Sequence, residues 1–339
     1  MPVVDVAVLG LSDTSSIAVA GLFDVIAKAD AAYGALQGRP GQDTVFDLRL
    51  VSLDGEPVRL GDRVTVTADV AAPDLPSIDL VVVPGLNDDL EPSLALNAPW
   101  APWITKWHDE GATIASSCSG AFLLAAAGVL DGRPATTHWM YAESLRRRHP
   151  DVRVAAERLI IDDGDIVTSG GATTFLDLAL YLVERFGGRE RANAAARVLL
   201  IDGARTNQLP YVHVSGQHRD HDDQAVHQAQ TVIDAGLDGS LRVDELAAQV
   251  GMSPRTLSRH FEDALGCTPQ AYVQHRRIEA ACRLLETTGE PVGNIQRRVG
   301  YRDPAAFRRA FRDEVGCSPT AYRSRFGWQP ATSQPRDPS

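Results

Sequence analysis

The sequence offers little with which to cross or leave a membrane. None of its apolar runs approaches the roughly 20 residues that a bilayer span requires. The opening MPVVDVAVLGLSD lacks a basic region and a small-residue cleavage site, so no signal peptide is expected. Cysteine is scarce: Cys118, Cys267, Cys282 and Cys317 form no C-x-x-C pair and no disulfide framework, which fits a reducing, cytoplasmic setting. Lysine is missing from the whole stretch Asp238 to Trp328, where 14 Arg face 11 Asp and Glu for a net charge of +3. Residues 329–339 are neutral, so residues 1–237 hold −14 of a chain whose total is −11. As one body, an acidic chain argues against nucleic-acid binding. An acidic N-terminal body beside a mildly basic, Arg-only one suggests two tasks instead, and 339 residues leave room for two domains.

The first 200 residues alternate strand-like and helix-like patterns. VDVAVLG (4–10) and IDLVVVPG (78–85) are continuous apolar runs of the kind buried in parallel sheets. FDLRLVSLDG (46–55) and RVTVTADV (63–70) alternate with period two, as half-buried strands do. SSIAVAGLFDVIAKADAAYG (15–34), WITKWHDEG (103–111), MYAESLRRRHP (140–150) and ATTFLDLALYLVERFGG (172–188) have helical spacing and end at Gly or Pro. The basic run in 144–150 suits the exposed C-terminal end of its helix, and Trp100, Trp103 and Trp107 suit one packed helix face. The order predicts an α/β fold, a doubly wound and mostly parallel sheet of flavodoxin-like type. The pattern fails between about 203 and 232, read as a linker. Its His213, His218, His221 and His227 lack the spacing of a metal site, so no metal is expected. The boundaries are 1–202 for the α/β domain, 203–232 for the linker, 233–328 for an all-α domain and 329–339 for a disordered tail.

The all-α part contains an internal repeat. VGMSPRTLSRHFEDALGCTPQAY (250–272) aligns with VGYRDPAAFRRAFRDEVGCSPTAY (299–322), matching Phe261 to Phe311, Gly266 to Gly316 and Tyr272 to Tyr322. Short helices around a Gly turn make a helix-turn-helix, here twice. In the first copy Ser253 is a natural N-cap and Pro254 the first helical residue. Leu257, Phe261 and Leu265 then face inward, leaving Ser253, Arg255, Thr256, Ser258 and Arg259 for base edges and phosphates. The second copy sets Arg302, Asp303, Ala305, Arg308, Arg309 and Arg312 around a Phe307–Phe311 seam. Residues 268–289 between them read as one helix of roughly 30 Å, near the ~34 Å of one DNA turn, so both recognition helices could enter successive major grooves.

These two segments resemble the DNA-binding domain of AraC/XylS-type transcription regulators. The resemblance implies sequence-specific binding of double-stranded DNA, commonly by an activator that contacts RNA polymerase. That family often has Ser where Asp303 and Ala305 stand. VVVPG (81–85), ASSCSGAFLLAAAGVLDGRPATTHW (115–139) and the helix after Gly171 are similar to the ThiJ/PfpI branch of the class I glutamine amidotransferase-like fold. The two together have the arrangement of GlxA-like regulators, some of which respond to amino acids or quaternary amines.

Cys118 stands where a strand turns sharply into a helix, the way a nucleophile is often presented. The amides of Ser119 and Gly85 could cradle an anion there, and His138 matches a histidine often near the cysteine in this superfamily. In enzymatic members the cysteine usually touches an acid of the first βα unit. Here that position is Ala18, with Asp13 and Asp24 off the required face, and the second Gly often found after PG is Leu86. The reading is therefore a non-enzymatic cleft that binds a small metabolite effector through Gly85, Asn87, Cys118, Ser119 and His138, in a homodimer without a cofactor. Three readings stay open beside it: a cysteine-dependent hydrolase or deglycase fused to a DNA-binding domain, a purely structural cysteine, and a ligand-independent activator.

Overall fold

Both faces of the predicted parallel sheet need helical cover, and the chain supplies it in alternation. The computed structural model describes residues 2–327 apart from 42–43, 62, 88, 204, 213–220, 238 and 240–241. It divides into two units, Met1–Gln208 and Leu209–Ser339. His213, His218 and the tail 329–339 lie outside the described residues.

The strands of the first unit are β1 (Val4–Leu9), β2 (Phe46–Ser52), β3 (Val58–Leu60), β4 (Val64–Val66), β5 (Val70–Ala71), β6 (Leu80–Val83), β7 (Thr113–Ser117), β8 (Pro134–Ala135), β9 (Arg153–Val154), β10 (Ile160–Asp162) and β11 (Ile166–Ser169). Its helices are α1 (Ser16–Leu36), α2 (Leu90–Asn97), α3 (Ala101–Asp109), α4 (Ala121–Ala126), α5 (Ala142–Arg148), α6 (Phe175–Gly187) and α7 (Arg189–Leu199). A seven-stranded sheet runs β10-β11-β7-β6-β1-β2-β5, parallel except for β10. Alternate residues of each strand serve opposite cores. Ala7, Leu9, Val81, Val83 and Ile114 meet Trp107 of α3 and Phe122 of α4. Val6, Val8, Leu80, Val82 and Ala115 meet Leu22 of α1, Leu178 of α6 and Ala195 of α7. Continuous apolar strands are what a sheet buried on both faces requires. Trp100 and Trp107 lie in the first of these cores, their rings 6.4 Å apart, with Trp103 packed at its edge. The basic end of α5 is exposed at Arg146, Arg147 and Arg148.

One strand reading needs correction. Residues 63–70 do not form a single strand: β4 pairs antiparallel with β3 in a separate ribbon, and only β5 reaches the main sheet. Asp69 opens that pairing with both side chain and main chain: its carboxylate accepts the Leu50 amide at 2.7 Å and its amide donates to the Leu50 carbonyl at 2.8 Å.

The second unit is helical: α8 (Gln224–Ala235), α9 (Val243–Gln249), α10 (Pro254–Leu265), α11 (Pro269–Thr287), α12 (Val292–Arg298), α13 (Pro304–Val315) and α14 (Pro319–Phe326). Helices α10, α11, α13 and α14 begin alike: Ser253, Thr268, Asp303 and Ser318 cap the amides ahead, and Pro follows each. The unit has two cores. Val226, Ile233, Leu246, Leu257 and Phe261 close on Tyr272 and Val273 at the start of α11. Ile278, Ala281 and Leu285 further along α11 meet Ile295, Phe307, Phe311 and Tyr322.

The linker expected over 203–232 is shorter at both ends. Arg205 pairs with Asp177 and Gln208 is buried in the first unit. At the other end Asp223 caps α8, whose Val226, Ala229 and Ile233 enter a core. Polar composition masked both ends: the polar side chains of 205–208 are satisfied inside the fold, and the apolar stripe of α8 is only three residues wide.

A buried ion pair ties the helical layer of the first unit together. Arg191 Nε of α7 lies 2.6 Å from Asp30 Oδ1 of α1, with side chains only 5% and 13% exposed. The other Asp30 oxygen accepts the amides of Val45 and Phe46, entering β2. Asp30→Ala strands a buried guanidinium and two amides, so we expect it to destabilise the first unit by about 3–5 kcal/mol, measured by denaturant unfolding. A loss below about 1 kcal/mol contradicts that role.

Candidate functional site

The chain order reverses between β1 and β6. From β1 the chain moves outward through α1 to β2 on one side; from β6 it moves through α2 and α3 to β7 on the other. In open α/β sheets the crevice for a ligand lies outside the carboxyl ends of the strands at such a point. Here it is formed by the loops after β1, β6, β7 and β11.

Cys118 follows β7 directly and takes a left-handed backbone, φ 53°. That conformation costs energy for a residue with a side chain, and neighbours hold it on three sides. The Cys118 amide donates to the Gly170 carbonyl at 2.9 Å, and its carbonyl accepts the Thr137 hydroxyl at 2.8 Å. A Cβ on Gly85 would sit 2.8 Å from the Cys118 Cβ, so only glycine fits beneath the elbow. Ser119 is buried and its hydroxyl accepts the Leu86 amide at 2.9 Å and donates to the Leu86 carbonyl at 3.1 Å. That hydroxyl is occupied in joining the elbow to the β6 loop. Cys118 itself is half-buried.

His138 stands over Gly171, where its ring fills the space a side chain would take. Its Nδ1 accepts the Met140 amide at 3.1 Å, so a neutral imidazole there carries its proton on Nε2. A ring in that tautomer offers an N–H at Nε2. Ala18 is buried and brings no carboxylate. Asp13, like Cys118, is left-handed, φ 54°. Its carboxylate accepts the Asn87 side-chain amide at 2.6 Å and the Ser93 hydroxyl. Asn87 is thus held by a carboxylate that the sequence reading placed outside the site. The cleft collects hydrogen-bond donors and acceptors on a strained frame.

In the second unit the helix-turn-helix expectations meet exposed side chains. Arg255, Arg259, Arg302, Ala305, Arg308, Arg309 and Arg312 are exposed, and Thr256 and Ser258 are half-buried. The Ser253 hydroxyl accepts the Thr256 amide at 3.1 Å. Asp303 accepts the amides of Ala305 and Ala306 at 2.9 and 3.2 Å, so its carboxylate serves the helix end instead of a base. Several other arginines of the unit are engaged. Arg276 pairs with Asp234 at 2.8 Å, Arg283 with Glu279 at 3.1 Å, Arg298 with Glu290, and Arg277 donates to the Leu237 carbonyl. Among the described residues, Arg255, Arg259, Arg302, Arg308, Arg309 and Arg312 form no ion pair. The cations that hold the fold together and those offered to a partner are different residues.

Comparison with known proteins bears on both units. The DJ-1/PfpI family profile matches residues 7–185, and a helix-turn-helix domain profile matches residues 246–325. The chain belongs to the DJ-1/PfpI family. This DJ-1/PfpI protein carries, in addition, a helix-turn-helix domain of the AraC type. It is 28% identical over 255 residues to the HTH-type transcriptional regulator GbdR of Pseudomonas aeruginosa, covering 74% of this chain and 67% of that one. To the HTH-type transcriptional regulator CdhR of the same species it is 28% identical over 289 residues, covering 85% and 81%. An isonitrile hydratase from Pseudomonas putida is 29% identical over 149 residues, 43% of this chain and 61% of that one.

The first unit thus gathers Gly85, Asn87, Cys118, Ser119 and His138 around one set of loops. Sequence reading missed Asp13, Ser93, Thr137 and Gln208 there. Asp13 lies four residues beyond the end of β1, and the sequence reading places it off the required face; Gln208 gave no signal. Among the described residues no group of His, Cys, Asp and Glu is arranged to hold a metal. His221 and His227 stack on each other, and His227 Nε2 reaches the His221 carbonyl at 2.7 Å.

Cys282 is no second reactive centre. Burial pushes its thiol up to about 12, and burial also raises Cys267 and Cys317. At pH 8 only about one Cys282 in ten thousand is thiolate, and the thiolate is the reactive form. We expect iodoacetamide at pH 8 to leave Cys282 unmodified in the native protein, with labelling rising about tenfold per pH unit up to pH 12. Mass spectrometry showing Cys282 labelled as fast as in denaturant contradicts this.

Proposed function

We propose that the protein is a cytoplasmic transcriptional regulator in which the α/β unit senses a small metabolite and the helical unit reads double-stranded DNA. The observation that carries the reading is the row of six unpaired arginines on and beside α10 and α13. Exposed arginines without partners on paired helices, each begun by a capped turn, are what phosphate and guanine recognition uses. The names of GbdR and CdhR support it from the side of relatives.

In this reading Arg255, Thr256, Ser258 and Arg259 from α10 meet one major groove. Arg302, Ala305, Arg308, Arg309 and Arg312 meet the next, with Ser253 and Asp303 holding the helix ends. The effector binds at the carboxyl edge of the sheet against Gly85, Asn87, Cys118, Ser119 and His138, where the main-chain amides at 85 and 119 face an anionic group. Binding shifts regulation only to the extent that it favours one arrangement of the protein over another. The protein acts as a homodimer and as an activator that contacts RNA polymerase.

In this reading the cleft binds without chemistry, which Ala18 supports because it offers no acid. A second reading, a cysteine-dependent hydrolase, draws on the left-handed Cys118 elbow and the isonitrile hydratase relative. Cys118→Ser separates them: loss of turnover on a substrate supports the enzyme, whereas retained DNA binding with altered effector response supports the sensor.

On a duplex selected from a random library by the full chain, Arg259→Ala and Arg308→Ala should each weaken binding about 5- to 100-fold at fixed salt, with unchanged melting. Unaltered affinity in a gel-shift assay overturns the assignment of those two residues.

A further inference from the structure

The last residue of the first unit is built into the floor of the cleft. Gln208 is 3% exposed, unusual for a residue at the mouth of a connector. Its Oε1 accepts the Gly171 amide at 3.1 Å. Its Nε2 lies 2.8 Å from the Thr137 carbonyl, 2.9 Å from Ala156 O, 3.1 Å from Arg158 O and 3.3 Å from Thr136 Oγ1. An amide nitrogen has two protons, so four acceptors compete for them and small shifts of any one re-divide the set.

Those partners are the supports of the elbow. Thr137 holds the Cys118 carbonyl and Gly170 holds the Cys118 amide. Gly170 and Gly171 lack side chains where the Gln208 amide and the His138 ring fill the space. Cys118, His138 and Gln208 therefore share one packed layer. The segment leading to Gln208 is fastened as well. Its amide donates to the Glu157 carbonyl at 2.9 Å, Asn207 bridges Arg158, and Arg205 donates to Thr173 Oγ1 at 2.8 Å beside its pairing with Asp177. Beyond Gln208 the chain leaves for the helical unit.

We propose that Gln208 is a positioning residue that couples the Cys118 cleft to the connector. An occupant that moves Thr137 or Gly171 re-divides the Gln208 hydrogen bonds and changes how firmly residues 205–208 are held. This rests on the cleft being a sensing site. The coupling is reciprocal, so loosening the segment alters the cleft in turn.

The test uses the full chain and two perturbations at the elbow: alkylation of Cys118 by iodoacetamide, with Cys118→Ala treated alike to subtract other cysteines, and Cys118→Phe. Hydrogen exchange at 205–208 is read by mass spectrometry. At least one perturbation should change exchange there fivefold or more, and the change should vanish in Gln208→Met, which keeps the volume without the amide. Equal exchange with and without both perturbations overturns the proposal, and needs no Gln208 variant to do so. A difference that survives in Gln208→Met overturns it too. The readout involves neither DNA nor metabolite, so a failure of the regulator reading would appear in binding assays and leave this result to stand separately.

Discussion

Helix α11 belongs to two cores at once, and the DNA-facing geometry depends on that. Tyr272 and Val273 at its beginning close the first motif, and Ile278, Ala281 and Leu285 further along close the second. At 19 residues it spans roughly 28 Å. Its side chains cannot turn toward one motif without leaving the other, so the two recognition helices are fixed in separation and phase. Arg276, half-way along, adds ion pairs to Asp234 of α8 and Glu279 of its own helix. The arginines on α10 and α13 are left with no such duty.

The α/β unit applies a related economy to its cleft. The strained conformations at Cys118 and Asp13 persist because neighbouring loops over-determine them. Gly85 leaves no room for the elbow to relax, and Ser119, Thr137 and Gly170 each spend a hydrogen bond on it. A frame of this sort presents a half-buried thiol at the carboxyl edge of the sheet. Gln208, drawn into the same frame from the end of the unit, offers a mechanical route out.

Much of the fold was legible because periodicity reports burial directly. The apolar runs of β1 and β6 read as central parallel strands since both faces are covered. The cap and proline at 253–254 marked the first motif, and the repeated Phe, Gly and Tyr positions marked the second. The cleft was legible at Gly85, Asn87, Cys118, Ser119 and His138, through local motif. Asp13, Ser93 and Gln208 act through contacts 37 to 80 residues away along the chain, and no local pattern encodes such pairs. Asp303 caps its helix, a role the sequence reading did not name, because an acidic N-cap and an exposed base-reading residue occupy the same position in sequence. The linker was drawn too long for a related reason: polar residues look alike whether water or the fold satisfies them.

In the proposed complex, α11 presents α10 and α13 with their arginines to the same face of a duplex. Hydroxyl-radical footprinting of the full chain on its selected duplex tests it most directly. The account predicts two protected stretches about one helical turn, roughly 10 base pairs, apart on one face. A single protected stretch, or two on opposite faces, would contradict it.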